Sequence, residues 1–223
     1  YINNFLASHN KSKVAAWCYA DWETENDSAA FGALYNPSIF NLPTFKIPTS
    51  WNVFRAMDWG TKDPFSILWF AETNGESIEY EHLGKKHIFA PPKDSIIVIN
   101  EFYGADTKIG QNHGLRMSAT NVAKKMKRIE DDMYKNLLER GHYIEDGPAD
   151  NNIRNDTGTI RTVEDLFYEE DISWEKSTKT KGSRVAGVDL MINIMTNTIE
   201  QTEKKHIYFF ADNIPNFIED VFS

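Results

Sequence analysis

FRAMDWGTKDPFSIL, from Phe54 to Leu68, decides how the chain is read. The apolar residues Val53, Phe54, Ala56 and Met57 read as a strand of a buried sheet, and that strand delivers one carboxylate, Asp58, into the turn Trp59-Gly60-Thr61. Asp63-Pro64 then opens a second apolar run, Phe65 to Ala71, which returns antiparallel to the first. An aspartate at the end of a buried strand is costly unless a cation or hydrogen bonds hold it. On its own such a residue is more often a turn or a cap than a ligand, so the rest of the chain has to supply its partners.

Working outward, the second strand ends at the hairpin turn Asn74-Gly75, and a stretch without clear pattern follows through Pro91-Pro92. Ser95 to Phe102 is the clearest strand, with Ile96, Ile97, Val98 and Ile99 β-branched and buried; Asn100-Glu101 ends it, with Tyr103-Gly104 behind. Ser118-Ala119-Thr120 opens a helix to about Arg140, whose Val122, Met126, Ile129, Met133 and Leu137 form one apolar stripe. His142 to Glu145 reads as a short strand leading into Asp146-Gly147-Pro148-Ala149-Asp150, a second strand-end carboxylate. A helix over Ile160 to Glu170 is expected to bury Val163, Leu166 and Phe167, and a short strand follows over Ile172 to Trp174. A helix over Ser183 to Thr198 is expected to bury Val185, Val188, Met191, Ile192 and Met195, and Ile207 to Phe210 is a last strand. Upstream, Tyr1 to Ala7 reads as the tail of a helix. From Glu23 to Ser50, Pro37, Pro43 and Pro48 mark an arm packed on the domain by Phe31, Tyr35 and Phe40. The expected division is an arm or linker over 1–49 and a domain over 50–223.

Strand, strand, strand, helix, strand, helix, strand, helix is the order of an RNase H-like α/β fold. Such a fold has a mixed central sheet, three antiparallel strands and then helix-linked strands, flanked by helices. It places the fourth strand parallel to the first and beside it, so Asp58 and Asp150 meet at one edge. Glu101 leaves the same edge one strand further out. Clustered carboxylates repel unless a divalent cation neutralises them, and oxygen-only ligands favour Mg²⁺ or Mn²⁺. Two such ions about 4 Å apart stabilise the attacking and leaving oxygens of a phosphodiester displacement. The implied chemistry is metal-dependent nucleic-acid hydrolysis.

With 223 residues, of which 41% are hydrophobic, the chain can bury a substantial core. No apolar run approaches the roughly 20 residues of a membrane span, and no signal peptide is visible. A single cysteine, Cys18, excludes an internal disulfide and fits a reducing compartment. A net charge of −9 argues against a general nucleic-acid coat but leaves room for local basic patches. One comprises Lys124, Lys125, Lys127 and Arg128 and reads as a solvated helix face, because Glu130, Asp131 and Asp132 follow at once. The other, Lys176, Lys179, Lys181 and Arg184, lies in a Ser/Thr-rich loop around Gly182 and is suited to gripping phosphates of DNA.

Four blocks together resemble the nuclease domain of tailed-bacteriophage terminase large subunits: Phe54 to Gly60 with Asp63-Pro64-Phe65, Asn100 to Gly104, Gly147 to Asp150, and Lys181 to Arg184. The resemblance covers most of the chain, and Ala20-Asp21-Trp22 stands where the family tends to have Gly-Asp-Trp. It implies an endonuclease that cuts concatemeric phage DNA in the cytoplasm of an infected bacterial host. Asp58 and Asp150 are carried over as first-choice metal ligands and Glu101 as a third, around two Mg²⁺ or Mn²⁺ ions. Double-stranded DNA, the portal protein and the small terminase subunit are the implied partners, with no membrane. Two departures stand out. No Gly-rich Lys-Ser/Thr phosphate loop is present, so the packaging ATPase is expected to be absent from this chain. The family's late acidic motif is not matched: Glu219 and Asp220 are the only late acidic pair, and Val221-Phe222-Ser223 does not continue the pattern. Either the last ligand lies beyond Ser223 or the site is completed differently. Two rival readings remain open. Asp58-Trp59-Gly60-Thr61 also fits the phosphate turn of actin-like and sugar-kinase ATP-binding folds, and a non-catalytic packaging or docking module needs no metal at all.

Overall fold

A computed structural model describes residues 29–60, 63–105, 114–155, 160–178, 180 and 182–222. Two short helices, α1 (Ala29–Gly32) and α2 (Pro37–Phe40), precede strands β1 (Asn52–Asp58), β2 (Ser66–Glu72), β3 (Ile78–His82), β4 (Lys85–Phe89) and β5 (Ile96–Tyr103). Helix α3 (Ala119–Asn136), strands β6 (Ile144–Glu145) and β7 (Pro148–Ala149), helix α4 (Val163–Tyr168), strand β8 (Glu175–Lys176), helix α5 (Ser183–Glu200), strand β9 (Ile207–Phe209) and helix α6 (Pro215–Phe222) follow. The expected helix tail at 1–7, Cys18 and the segment 20–22 lie outside the described residues.

The main sheet has seven strands in the order β8-β7-β1-β2-β5-β9, with β6 also paired to β1. β1 pairs antiparallel with β2, and β2 antiparallel with β5, whereas β6 and β7 both run parallel to β1 and β8 runs parallel to β7. Counting β6 and β7 as one strand interrupted at Gly147, the spatial order is third, second, first, fourth, fifth. This is the RNase H-like arrangement, with β9 added parallel to β5 at the far edge.

Both faces of the sheet are covered. Val53, Met57, Ile67, Trp69, Ala71, Ile97 and Phe102 face α3, whose Val122, Ala123, Met126 and Met133 are buried at the expected helical spacing. Leu68, Phe70 and Val98 face the other way, onto Ile194 and Met195 of α5, Phe209, and Phe222 of α6. Residues 29–49 contribute to both cores: Phe40 and Ile47 are fully buried and Phe45 nearly so. Leu42 donates to Phe209 O, and Ile47 and Leu137 to Glu139 exchange backbone bonds, so this segment is bound to β9 and to the end of α3.

Several elements differ from the sequence reading for local reasons. The stretch after Asn74-Gly75 holds a hairpin, β3 with β4, turned through Leu83 and Gly84, both at positive φ. Its strands alternate weakly because most of their residues face solvent. Helix α4 begins at Val163 because Thr162 and Asp165 form a reciprocal capping box. The strand expected at Ile172 to Trp174 is displaced to Glu175–Lys176, and the buried Ile172 and Trp174 serve as core anchors beside it. The buried stripe of α5 is Ile194, Met195 and Thr198, with Met191 packed against it; Val185 stands 45% exposed because the first half of the helix lies outside the core. Among the described residues no helix is long and apolar enough to cross a membrane.

The strand carrying Asp58 also carries a buried cation. Arg55 is only 4% exposed and faces the α3 core. Its guanidinium pairs with Glu130 of α3 and with Asp146 between β6 and β7, donates to Ser173 O at 3.1 Å, and lies over the Trp174 ring. Trp69 Nε1 donates to the same Glu130 carboxylate at 2.9 Å. Immediately after Asp146, a Cβ at Gly147 would overlap the Arg55 carbonyl oxygen. The close approach of β7 to β1 therefore requires glycine there.

Removing one partner from this buried set leaves an uncompensated charge. Arg55→Met, which strands the buried Glu130 carboxylate, is expected to cost about 3–5 kcal/mol of stability, whereas the double change Arg55→Met with Glu130→Leu costs less, because the carboxylate then left without its partner, Asp146, is partly exposed to solvent. Urea unfolding of the single and double variants measures the difference. Gly147→Ala is expected to cost about 1–3 kcal/mol and to speed hydrogen exchange at the Asp150 amide, which donates to Met57 O across the β1–β7 join. Unchanged exchange at that amide would show that β7 tolerates a side chain at this crossing.

Candidate active site

The register of β1 and β7 sets the geometry of the carboxylates. Met57 and Ala149 are paired and both are buried on the α3 side. The next residues along, Asp58 and Asp150, therefore turn to the opposite side, with Cα atoms about 5 Å apart, the spacing of adjacent strands. Asp58 is exposed and Asp150 half-buried. The Asp150 N–H donates to Met57 O at 3.0 Å, which extends the parallel ladder up to the carboxylate itself.

Asp150 is also the N-cap of a one-turn 3₁₀ helix, Asn151–Arg154. Its Oδ1 accepts the Asn152 N–H at 3.0 Å, and its Oδ2 lies 3.3 Å from Asn152 Nδ2. These bonds fix the rotamer of the carboxylate. Gly60 supports the other side of the site, since a Cβ there would press on the backbone oxygens of Asp63 and Pro64 and open the turn that follows Asp58. Thr61, part of the phosphate-turn alternative, lies outside the described residues.

At the level of Asp58 the antiparallel pairings run Asp58 to Ser66 to Tyr103, so these three residues share one face of the sheet. Tyr103 meets Asp220 of α6. Burial, the hydrogen bond to Asp220 and the charges of Asp220 and Glu101 push its hydroxyl up to about 12. The sequence names Asp220 with Glu219 as the only late acidic pair but gives it no role, because no family pattern continues around it; the signal that could have assigned one is Tyr103, two residues beyond Glu101 on the same strand face.

Glu101 itself is placed elsewhere. It pairs with Leu68, which pairs with Ala56, so it lies two strands from β1 and two residues behind Asp58. Its carboxylate accepts three bonds from the start of α6: Asn216 N–H at 2.8 Å, Asn216 Nδ2 at 2.7 Å and Phe217 N–H at 2.8 Å. The structure thus brings Asp58 and Asp150 together and turns Glu101 towards a helix. Among the described residues no group of three or more His, Cys, Asp or Glu side chains is arranged to hold a metal ion. The Asp58–Asp150 pair, with oxygen donors alone, fits a hard divalent cation that completes its shell with water or substrate oxygens.

Of the second basic patch, Lys176 is exposed on β8, paired with Ala149 and so one strand from Asp150. The loop after it is tied to the Asp150 turn, because Asn151 Nδ2 donates to Ser177 O at 3.0 Å. Lys179, Lys181 and the side chain of Arg184 lie outside the described residues. In the first patch, Lys124 pairs with Glu170, Lys127 pairs with Asp171, and Lys125 covers the Phe102 ring.

No family model matches the chain, and no curated protein matches it. Solved structures do. The large terminase of a thermophilic bacteriophage, in one crystal form, superposes with a TM-score of 0.53 at 12% identity, covering 87% of this chain and 36% of that one. The same protein in complex with ADP gives a TM-score of 0.52 at 14% identity, covering 86% and 36%. The P22 large terminase nuclease domain superposes more loosely, with a TM-score of 0.44 at 11% identity over 81% of this chain and 72% of that domain. The chain spans about a third of the length of the thermophilic phage's terminase, and it shares its RNase H-like fold with phage large terminases.

Proposed function

We propose that this chain is the nuclease module of a phage DNA-packaging terminase, cutting double-stranded DNA by divalent-metal-dependent phosphodiester hydrolysis in the cytoplasm of an infected bacterium. The observation that carries the reading is the Met57–Ala149 pairing, which sets Asp58 and Asp150 side by side at the carboxyl ends of the two central parallel strands. Asp58 and Asp150 hold Mg²⁺ or Mn²⁺, and Asn152 keeps the Asp150 carboxylate oriented. When bound, such ions neutralise the carboxylate pair and the charge that develops on phosphate during in-line attack. Asp220, reaching the same polar row through Tyr103, supplies a further carboxylate from α6. Lys176 and the loop through Lys179, Lys181 and Arg184 grip the phosphates of the strand lying over Asp150. Motor, portal protein and small terminase subunit are the partners that such a module serves.

Asp58→Asn and Asp150→Asn are each expected to reduce metal-dependent plasmid cleavage to background while leaving the unfolding midpoint close to wild type, because the amide keeps the shape and loses the charge. Undiminished cleavage by either folded variant refutes the assignment. Neutralising Lys176 and Lys179 is expected to weaken DNA binding and to flatten its dependence on salt by roughly one unit of slope per lost phosphate contact. A binding titration at several salt concentrations reads this; an unchanged slope places the phosphate grip elsewhere.

A further inference from the structure

The start of α6 can be accounted for donor by donor. The Ile214 N–H bonds to Ala211 O, Pro215 has no N–H, and Ile218 N–H bonds back to Ile214 O. Asn216 and Phe217 remain, and the residue at the cap position, Ile214, offers no side-chain acceptor. Glu101, from a strand more than a hundred residues earlier in the chain, takes both N–H groups and the Asn216 side chain as well. Its negative charge lies at the positive end of the helix dipole.

A second point of attachment follows the same geometry. Glu101 and Tyr103 are two residues apart on β5 and share a face, about 7 Å apart along the strand. Asn216 and Asp220 are four residues apart on α6 and share a face, about 6 Å apart along the helix axis. The two spacings match, so α6 lies along β5 held at two points: its amino end by Glu101, and Asp220 by the Tyr103 hydroxyl. At the other flank of α6, Tyr35 stacks on Phe222 at 4.2 Å, and a Cβ on Gly32 would meet the Phe222 carbonyl oxygen at 2.7 Å.

We propose that Glu101 is a positioning residue rather than a metal ligand: it anchors the first turn of α6 to β5 and so sets Asp220 against Tyr103, at the level of Asp58. The consequence for cleavage rests on the nuclease reading; the consequence for the helix does not. Glu101 acts through α6, and its loss is felt at the site as a loss of Asp220.

The test compares Glu101→Ala, Glu101→Gln, Asp220→Asn and the double variant Glu101→Ala with Asp220→Asn. Contacts between the Tyr103 ring and the residue 220 side chain are followed by NMR with ring-labelled tyrosine, exchange is measured at the Asn216 and Phe217 amides, and cleavage is assayed alongside. In Glu101→Ala the NMR contact between the Tyr103 ring and the residue 220 side chain is expected to be lost, whereas in Asp220→Asn, whose amide keeps the shape of the carboxylate, it persists. The two amides lose protection. Glu101→Gln, which keeps one acceptor oxygen for Asn216, falls between Glu101→Ala and wild type. For cleavage, the double variant is expected to be no worse than the more damaged single variant, since the two residues act in series. Retained protection at Asn216 and Phe217 with the Tyr103–Asp220 contact intact in Glu101→Ala overturns the proposal, and so do losses of cleavage that multiply in the double variant. If the wild type itself cuts no DNA the nuclease reading fails, while the Tyr103 contact and the amide exchange still decide the role of Glu101.

Discussion

Burial of one guanidinium governs the rest of the molecule. Arg55 sits in the middle of β1, three residues before Asp58, and Asp146 sits four residues before Asp150. Joining those two side chains fixes how far β7 advances along β1, and the result of that register is that Asp58 and Asp150 leave the sheet together. A parallel pair of two-residue strands has too few ladder bonds to choose its register alone, and a slip of one residue would turn Asp150 into the core. A buried ion set adds little net stability compared with apolar packing, but a misregistered chain would leave Arg55 unpaired in a dry environment. Here the polar cluster discriminates among registers while the hydrophobic core supplies the stability.

The same sheet divides its labour between its faces. On the α3 side, Arg55, Trp69 and Glu130 hold the strands to the helix through side-chain bonds under a layer of apolar packing. On the other side the strands meet α5, α6 and residues 31–40 through Leu68, Phe70, Val98, Phe209 and Phe222, an interface made mostly of aromatic and aliphatic contact. Asp58, Ser66, Tyr103 and Glu101 project on this second side, where the apolar cover gives way to polar groups towards the carboxyl ends of β1 and β5. A helix laid along β5 can thus be held apolar at its back and polar along its strand-facing edge, as α6 is.

Much of this is legible in the sequence, and the parts that are not share a cause. The β-branched run of β5, the stripe of α3 and the two strand-end aspartates follow from local patterns, and the order of elements is enough to place the first and fourth strands together. The pieces β6, β7 and β8 are two residues each, too short for any period to emerge. Arg55 interrupts an apolar strand, and no local pattern accounts for it; only its partners, 75 and 91 residues away, explain its burial. Glu101 reads as a strand-end acid like Asp58, because nothing local reveals that a helix amino end 115 residues later needs an acceptor. Asp220 has no surrounding motif to mark it, since its place is set by one tyrosine on another element.

Charge distribution gives these placements a common direction. A chain at −9 repels a polyanion over most of its surface, and Lys124, Lys127 and Lys125 on α3 are already committed to Glu170, Asp171 and the Phe102 ring. Lys176 is placed differently: it lies exposed on the strand next to Asp150, and the carbonyl of the following residue, Ser177, accepts from Asn151 in the Asp150 turn. Under the nuclease reading, attraction and chemistry therefore meet at one edge of the sheet, and they are joined by one side-chain hydrogen bond. One side-chain bond, from Asn151 Nδ2 to Ser177 O, ties the residue after Lys176 to the turn that orients the Asp150 carboxylate, so under the nuclease reading a phosphate drawn to Lys176 lies one strand from the carboxylate pair.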